Sequence, residues 1–308
     1  MTFTAYDDLP EGLLSELRHT GLDPWTLYHQ VVLALHEDLP EAHDVDVTSA
    51  ATIAPDARGV AVFASRESGV IAGLVVAELV FRTVLGDDVA ISGRAHDGTR
   101  VAPGDVVMTV AGPTRGLLTA ERTALNFATH LSGIATATAR WVDALEGTGA
   151  KVLDTRKTLP TYRALQKYAV RCGGGHNHRF SLADMALVKD NHVVAAGGVV
   201  PAYRAVREQF PHVPVEVEVD SLDQLRELLD AGCERILLDN MSPETLREAV
   251  ALAAPFKAAG HGVVLEASGG LTLERARAVA ETGVDWISVG ALTHSVHVFD
   301  LGLDLREG

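Results

Sequence analysis

"VPVEVEVDSLDQLRELLDAGCERILLDNM", residues 213–241, places one helical segment between two short apolar runs. Leucines at helical spacing predict a helix in the middle of this stretch. We expect this helix to end at Gly232, because glycine commonly terminates helices. Each apolar run ends in polar residues, which is typical of a buried parallel strand leaving its sheet. The stretch therefore predicts a strand–helix–strand unit with Glu218 and Asp239 at the strand ends.

The same pattern recurs on both sides of this stretch after residue 150. Further apolar runs with polar endings are KVLDTRK (151–157), MALVKDNH (185–192), GVVLEASGG (262–270) and DWISVGALTH (285–294). Strands alternating with helices predict an α/β barrel, whose chemistry lies at the carboxyl ends of its strands. Six clear strands predict an incomplete, TIM-like barrel, unless two more strands lie in the helical-looking regions.

The residues before 150 follow a different plan. Residues 20–40 predict a helix, and residues 52–115 predict short strands separated by turns. A long helix follows, for which Thr119 is the predicted N-cap. This part therefore predicts a separate amino-terminal domain.

Composition narrows the classes of function. The 308 residues carry a net charge of −15, which argues against nucleic acid or an anionic membrane as the main partner. We expect a cytoplasmic protein, because no signal peptide or bilayer-long apolar run is found. Cys172 and Cys233 form no disulfide framework, which fits a reducing compartment.

Positive charge is concentrated in residues 151–189, where eight Lys or Arg face two Asp. Within this segment, VRCGGGHNHRF (170–180) is open to two interpretations. Cys172, His176 and His178 are candidate zinc ligands, whereas the arginines and glycines favour an anion. Lys189, directly after a buried strand, favours the anion.

Eight motifs in order resemble the quinolinate phosphoribosyltransferase family. They are ERTALNFATHLSGIAT (121–136), LDTRKTLP (153–160), KYAVRCGGGHNHR (167–179), LVKDNH (187–192), VEVEVDS (215–221), LLDN (237–240), LEASGG (265–270) and GVDWISVGALTHS (283–295). The resemblance implies an amino-terminal α/β sandwich domain, residues 1–125, and an incomplete α/β barrel domain, residues 126–308, whose last residues can pack back on the first domain. Zinc is not implied.

The implied reaction joins quinolinate to 5-phosphoribosyl 1-diphosphate (PRPP). Its products are nicotinate mononucleotide, pyrophosphate and carbon dioxide, in NAD biosynthesis. The resemblance also implies Mg²⁺ with PRPP, no organic cofactor, and a homodimer with a shared active site that can assemble further.

The resemblance assigns roles residue by residue. The implied quinolinate-binding residues are Arg122 of the neighbouring subunit, Arg156, His178, Arg179 and Lys189. The implied PRPP-binding residues are Lys157, Glu218, Asp239, Ser268, Gly269, Gly290 and His294. Lys157, Lys189, Glu218 and Asp239 are the implied catalytic group, and Glu218 and Asp239 the implied magnesium ligands.

Two alternatives remain at this stage. A phosphoribosyltransferase of the same fold could use nicotinate or another ring acid, and a non-catalytic ligand sensor could keep the same pocket. The number of carboxylate sites discriminates between the ring acids, because quinolinate needs two. Arg156, His178, Arg179 and the partner's Arg122 are sufficient for two.

Overall fold

The computed structural model describes residues 3–41 and 43–306. The chain forms two compact units. The first comprises the described residues of Met1–Ala137, Ala164–Gly174 and Val296–Gly308; the second comprises Thr138–Arg163 and Gly175–Ser295.

Helices and strands alternate through most of the chain. The helices are α1 (Glu11–His19), α2 (Pro24–Asp38), α3 (Val47–Thr52), α4 (Leu74–Leu85), α5 (Thr114–Ala144), α6 (Arg163–Cys172), α7 (Asp190–Ala196), α8 (Val199–Gln209), α9 (Leu222–Asp230), α10 (Pro243–Ala258), α11 (Leu273–Ala280) and α12 (Ala291–His294). The strands are β1 (Arg58–Ser65), β2 (Gly69–Val70), β3 (Ala90–Ser92), β4 (Arg100–Val101), β5 (Val106–Pro113), β6 (Lys151–Leu153), β7 (Ala186–Val188), β8 (Val215–Val219), β9 (Arg235–Asp239), β10 (Val264–Ser268), β11 (Trp286–Ser288) and β12 (Leu301–Arg306).

The first unit contains a four-stranded antiparallel sheet in the order β12–β1–β5–β3. Its outer strand β12 comes from the far end of the chain and pairs with β1, with Ser65 opposite Leu301. Gly133 lets the returning chain approach α5, because a Cβ there would lie 2.1 Å from the His297 carbonyl oxygen. Glycine is therefore required at this crossing.

The second unit contains a six-stranded parallel sheet in the order β6–β11–β10–β9–β8–β7. Among the described residues, the edge strands β6 and β7 do not pair with each other, so the barrel is open there. The predicted fold class, an α/β sandwich domain followed by an incomplete α/β barrel, is confirmed.

Local sequence fixes the helices that separate the parallel strands. Ser221 caps α9, and Gly232 follows that helix with φ of 79°. Ser242 caps α10 by accepting from the Thr245 backbone N–H at 3.2 Å, and Pro243 occupies the first helical position. The capping residues Ser221 and Ser242 follow β8 and β9, which are parallel neighbours. The polar residues at the ends of these strands therefore lie at the same edge of the sheet.

Two predictions about the first unit were wrong. The long helix begins at Thr114, not at Thr119, whose hydroxyl donates to the Arg115 carbonyl inside the helix. The region predicted as short strands contains the helix α4, of whose twelve residues nine are buried. Because the helix is buried on most sides, its sequence LVVAELVFRTVL has no polar face to mark it as a helix. Across the described residues, no helix has the length and apolar content needed to cross a bilayer.

Candidate active site

The second unit contains a cavity of about 590 Å³ at the carboxyl ends of its parallel strands. Polar and charged residues make up most of its wall. The lining residues are Thr155, Arg156, Lys157, His178, Arg179, Leu187, Lys189, Glu218, Leu237, Asp239, Asn240, Glu266, Ser268, Gly269, Gly270 and Ser288. In α/β barrels this end of the strands carries the chemistry.

Two guanidiniums, with Lys157 and Lys189, form the positive part of the wall. Arg179 is held by a hydrogen bond from its Nη1 to the Met185 carbonyl oxygen at 3.0 Å. Burial and the charge of Arg156 lower the pKa of Arg179. The Nε of Arg156 is buried and has no hydrogen-bond partner among the described residues. Buried donors normally have an acceptor, so this arrangement suits an anionic ligand.

The strand ends β7 to β9 supply a charge pair and a second carboxylate. The Lys189 ammonium contacts the Glu218 carboxylate, and both groups line the cavity. Asp239 accepts a hydrogen bond from the side-chain amide of Asn240 at 2.6 Å. The wall can therefore neutralise anions with Lys189 and bind hydroxyls or a cation with its carboxylates.

The loop after β10 requires glycine. Gly269 has φ of 94°, and a Cβ on it would lie 2.2 Å from the Asn240 side-chain oxygen. Asn240 itself has φ of 55°, and its backbone N–H donates to the Ser268 carbonyl oxygen at 2.9 Å. The two loops therefore meet backbone to backbone, which leaves room for a ligand close to the peptide groups.

His178 and Glu266 of the wall form a buried cluster with Glu216. The His178 Nε2 lies 2.8 Å from Oε2 of Glu216 and 3.4 Å from Oε2 of Glu266. The two glutamates are 0 % and 1 % exposed. Both are on strands, two residues before Glu218 and Ser268 respectively, so each faces the same way as its strand-end residue but lies deeper.

The cluster retains protons at neutral pH. Burial disfavours the imidazolium form of His178, but the hydrogen bond to Glu216 and the neighbouring carboxyl of Glu266 outweigh this effect and raise its pKa to about 9. Burial also raises the pKa of Glu266. The donor atoms of the three groups lie within 4.8 Å of one another.

Comparison with known proteins identifies the family. The model for the amino-terminal domain of quinolinate phosphoribosyl transferase matches residues 46–132, and the model for its carboxyl-terminal domain matches residues 134–304. The chain belongs to the quinolinate phosphoribosyltransferase family.

Relatives and structures agree with this family. The chain is 53% identical over 276 residues to the nicotinate-nucleotide pyrophosphorylase (carboxylating) of Mycobacterium leprae, covering 88% of this chain and 94% of that protein. It is 40% identical over 242 residues to the probable enzyme of that name from Bacillus subtilis, covering 78% and 81%. The structure of the nicotinate-nucleotide pyrophosphorylase from Francisella tularensis superposes with a TM-score of 0.84 at 38% identity, covering 91% of this chain and 96% of that chain. The predicted family and enzyme class, a pentosyltransferase, are confirmed.

Most residues assigned through the quinolinate phosphoribosyltransferase resemblance meet in the cavity. The lining includes Arg156, Lys157, His178, Arg179, Lys189, Glu218, Asp239, Ser268 and Gly269. Gly290 and His294 are outside the lining but close to it, because a Cβ on Gly290 would lie 3.0 Å from Cδ of Lys157 and 3.2 Å from Nε2 of His294. Arg122 is exposed on α5 in the first unit.

Sequence reasoning missed two groups in the cavity wall. Asn240 lies in a quoted motif, but only the structure shows that it contacts Asp239 and approaches Gly269. Glu266 stands two residues before Ser268, and strand periodicity could have placed both on one face. Strand periodicity likewise places Glu216 on the face of Glu218, but only the structure shows its contact with His178.

The residues considered for zinc lie in different settings. Cys172 is on α6 in the first unit, and burial raises the pKa of its thiol to about 12, which disfavours the thiolate that binds zinc. Within the described residues, the group with three metal-compatible donors is His178, Glu216 and Glu266. Both ring nitrogens of His178 already have protein partners, since Nε2 contacts Glu216 and Nδ1 accepts from the Arg179 backbone N–H.

Proposed function

We propose that the second unit's cavity transfers the phosphoribosyl group of PRPP to quinolinate, with loss of carbon dioxide, to give nicotinate mononucleotide in NAD biosynthesis. The observation that carries this proposal is the buried, unpartnered Nε of Arg156 beside Arg179 in a wall that also holds two lysines. Paired guanidiniums match planar carboxylates, and quinolinate carries two of them.

The PRPP site is assigned to the strand ends that face these arginines. Ser268 and Gly269, with Gly290 and His294 beyond them, are the proposed 5-phosphate ligands, because barrel enzymes commonly bind phosphate in the loops after the last strands. The close approach of Gly269 to Asn240 supports this assignment. Lys157 and Lys189 are proposed to neutralise the diphosphate.

Glu218 and Asp239 are the proposed ligands of the ribose hydroxyls and of Mg²⁺. Both carboxylates line the cavity, and carboxylate oxygens suit a hard cation that also binds substrate phosphates. Bound with PRPP, Mg²⁺ would supply charge neutralisation for the departing pyrophosphate. Glu218 and Asp239 also stabilise the positive charge that develops at the anomeric carbon.

The proposed enzyme works as a cytoplasmic homodimer, able to assemble further, in which Arg122 completes the partner's quinolinate site. The exposed position of Arg122 on α5 supports this role. Mixing Arg122→Ala and Lys189→Ala proteins tests it, because each mixed dimer would contain one intact site. Activity returning to about a quarter of wild type supports sharing, and no return contradicts it.

The reaction itself is tested with quinolinate labelled in its 2-carboxylate. We expect labelled carbon dioxide only when PRPP and Mg²⁺ are both present, together with nicotinate mononucleotide. Turnover of nicotinate without release of carbon dioxide from quinolinate would favour a phosphoribosyltransferase that uses nicotinate. Binding of both ligands without any turnover would favour the sensor.

A further inference from the structure

Three contacts fix His178 from different directions. Its backbone N–H donates to Oδ1 of the buried Asp154 at 2.9 Å. Its Nε2 lies 2.8 Å from Oε2 of Glu216. Its Nδ1 accepts from the backbone N–H of Arg179 at 2.8 Å. The ring therefore connects strand β8 to the peptide of a cavity arginine.

The contact with Arg179 determines where the ring proton resides. A backbone N–H can only donate, so Nδ1 presents its lone pair in the neutral ring. The ring proton is then on Nε2 and points to Glu216. Both ring nitrogens of His178 are thus engaged with the protein, although the ring lines the cavity.

Two buried glutamates lie next to the ring. Oε1 of Glu216 and both oxygens of Glu266 are buried without a hydrogen-bond partner among the described residues. The neighbour that the two carboxyl groups share is the His178 ring, whose Nε2 lies 2.8 Å from Glu216 and 3.4 Å from Glu266.

We propose that Glu216 and Glu266 are positioning residues of the quinolinate site, which hold the ring of His178 and through it the backbone of Arg179. This inference rests on the proposed binding of a substrate carboxylate by Arg179. It assigns His178 to the support of Arg179, in addition to the substrate contact implied by the family resemblance. Met185 fixes the other end of Arg179, through its carbonyl oxygen.

Variants of Glu216 test the proposal through steady-state kinetics. Glu216→Leu removes the acceptor for Nε2–H, so Arg179 shifts and the KM for quinolinate rises about 10²-fold, while the KM for PRPP changes less than about twofold. Glu216→Gln keeps an acceptor oxygen, so it restores most of the loss. Glu208→Gln, exposed on α8, is the matched control for the lost charge.

A double-mutant cycle with His178→Asn shows whether Glu216 acts through His178. If it does, adding Glu216→Leu to His178→Asn raises the KM for quinolinate no further. Additive effects, equal effects on both substrates, or equal losses in the Gln and Leu variants would overturn the proposal. If Glu216→Leu fails to fold, Glu216→Ser takes its place in the cycle.

The ring proton gives a direct readout in the wild-type protein. Nitrogen-15 NMR of histidine-labelled enzyme above about pH 9, where the His178 ring is neutral, should show its proton on Nε2, and a neutral ring with its proton on Nδ1 would contradict the arrangement. Wild-type protein that releases no carbon dioxide from quinolinate would refute the proposed function. Active wild type with an unaffected folded Glu216→Leu variant would refute only this inference.

Discussion

Two carboxyl groups, one in each unit, show how differently a protein can treat the same chemistry. Asp97 in the first unit accepts from the backbone N–H groups of Gly73 and Leu74, at 2.9 and 3.0 Å, and from the Tyr168 hydroxyl at 2.6 Å. Glu266 in the second unit is 1 % exposed and has two oxygens without a hydrogen-bond partner among the described residues.

The difference separates groups that support the fold from groups that serve the site. Every bond of Asp97 fixes the start of α4 or joins it to α6, so the carboxylate is a structural cap. Glu266 adds little to stability, because a buried carboxyl without hydrogen-bond partners is unfavourable. Glu266 lines the cavity, so we expect its benefit to appear in function. Substitutions should therefore divide into kinetic effects in the second unit and stability effects at Asp97.

The largest kinetic effect is expected for Lys189→Ala. The variant loses a charge from the cavity wall, so the rate of carbon dioxide release should fall about 10²–10³-fold with little change in thermal stability. Lys257→Ala is the matched control, because Lys257 pairs with Asp285 at 2.7 Å and neither residue lines the cavity. Unfolding of Lys189→Ala would make this lysine structural and weaken the comparison.

A smaller kinetic effect is expected for Gly269→Ala. The added Cβ meets Asn240 at 2.2 Å in a left-handed conformation, so the KM for PRPP should rise about 10-fold or more. Gly260→Ala controls for backbone strain, because Gly260 has φ of 88° with open space around it. Equal kinetics in the two variants would remove Gly269 from the proposed phosphate site.

Asp97→Asn should change stability and leave the kinetics unaltered. The new amide places N–H groups against at least one backbone donor of Gly73 or Leu74, which should lower the free energy of unfolding by about 1–3 kcal/mol. Denaturant unfolding measures the loss. A changed KM for either substrate would break the separation between the units.

A pH dependence of stability should arise in the second unit. The pKa of His178 is raised to about 9 in the folded protein, so its cluster holds a proton that the unfolded chain releases near pH 6.5. The resulting stabilisation is fully present below about pH 6.5 and is lost as the pH rises to about 9, at up to about 1.4 kcal/mol per pH unit.

Unfolding curves between pH 6 and 10 measure this slope. His178→Asn should reduce it, whereas Asp97→Asn should leave it unchanged. A wild-type slope that persists in His178→Asn would place the titrating group elsewhere.

Periodicity and strand ends predicted much of the second unit. Apolar runs predicted β8 and β9, and their ends placed Glu218 and Asp239 where both now line one cavity. The buried cluster of His178, Glu216 and Glu266 could not be predicted from sequence. Period-two alternation places Glu216 on the same face as Glu218 but does not show how far each side chain is buried. The helix α4 was missed because its burial on nearly all sides removes the polar face that marks amphipathic helices.

The pairing of β12 with β1 delays completion of the first unit during synthesis. β1 can pair with β5 as soon as Pro113 has emerged, but its other edge waits for Leu301. At ordinary rates of translation the interval is roughly 10–40 s. The whole second unit is synthesised within it, while β1 presents an open edge that other chains could join. In the nascent chain, β12 is thus the last strand to be made, and its pairing covers the edge of β1 that would otherwise favour aggregation.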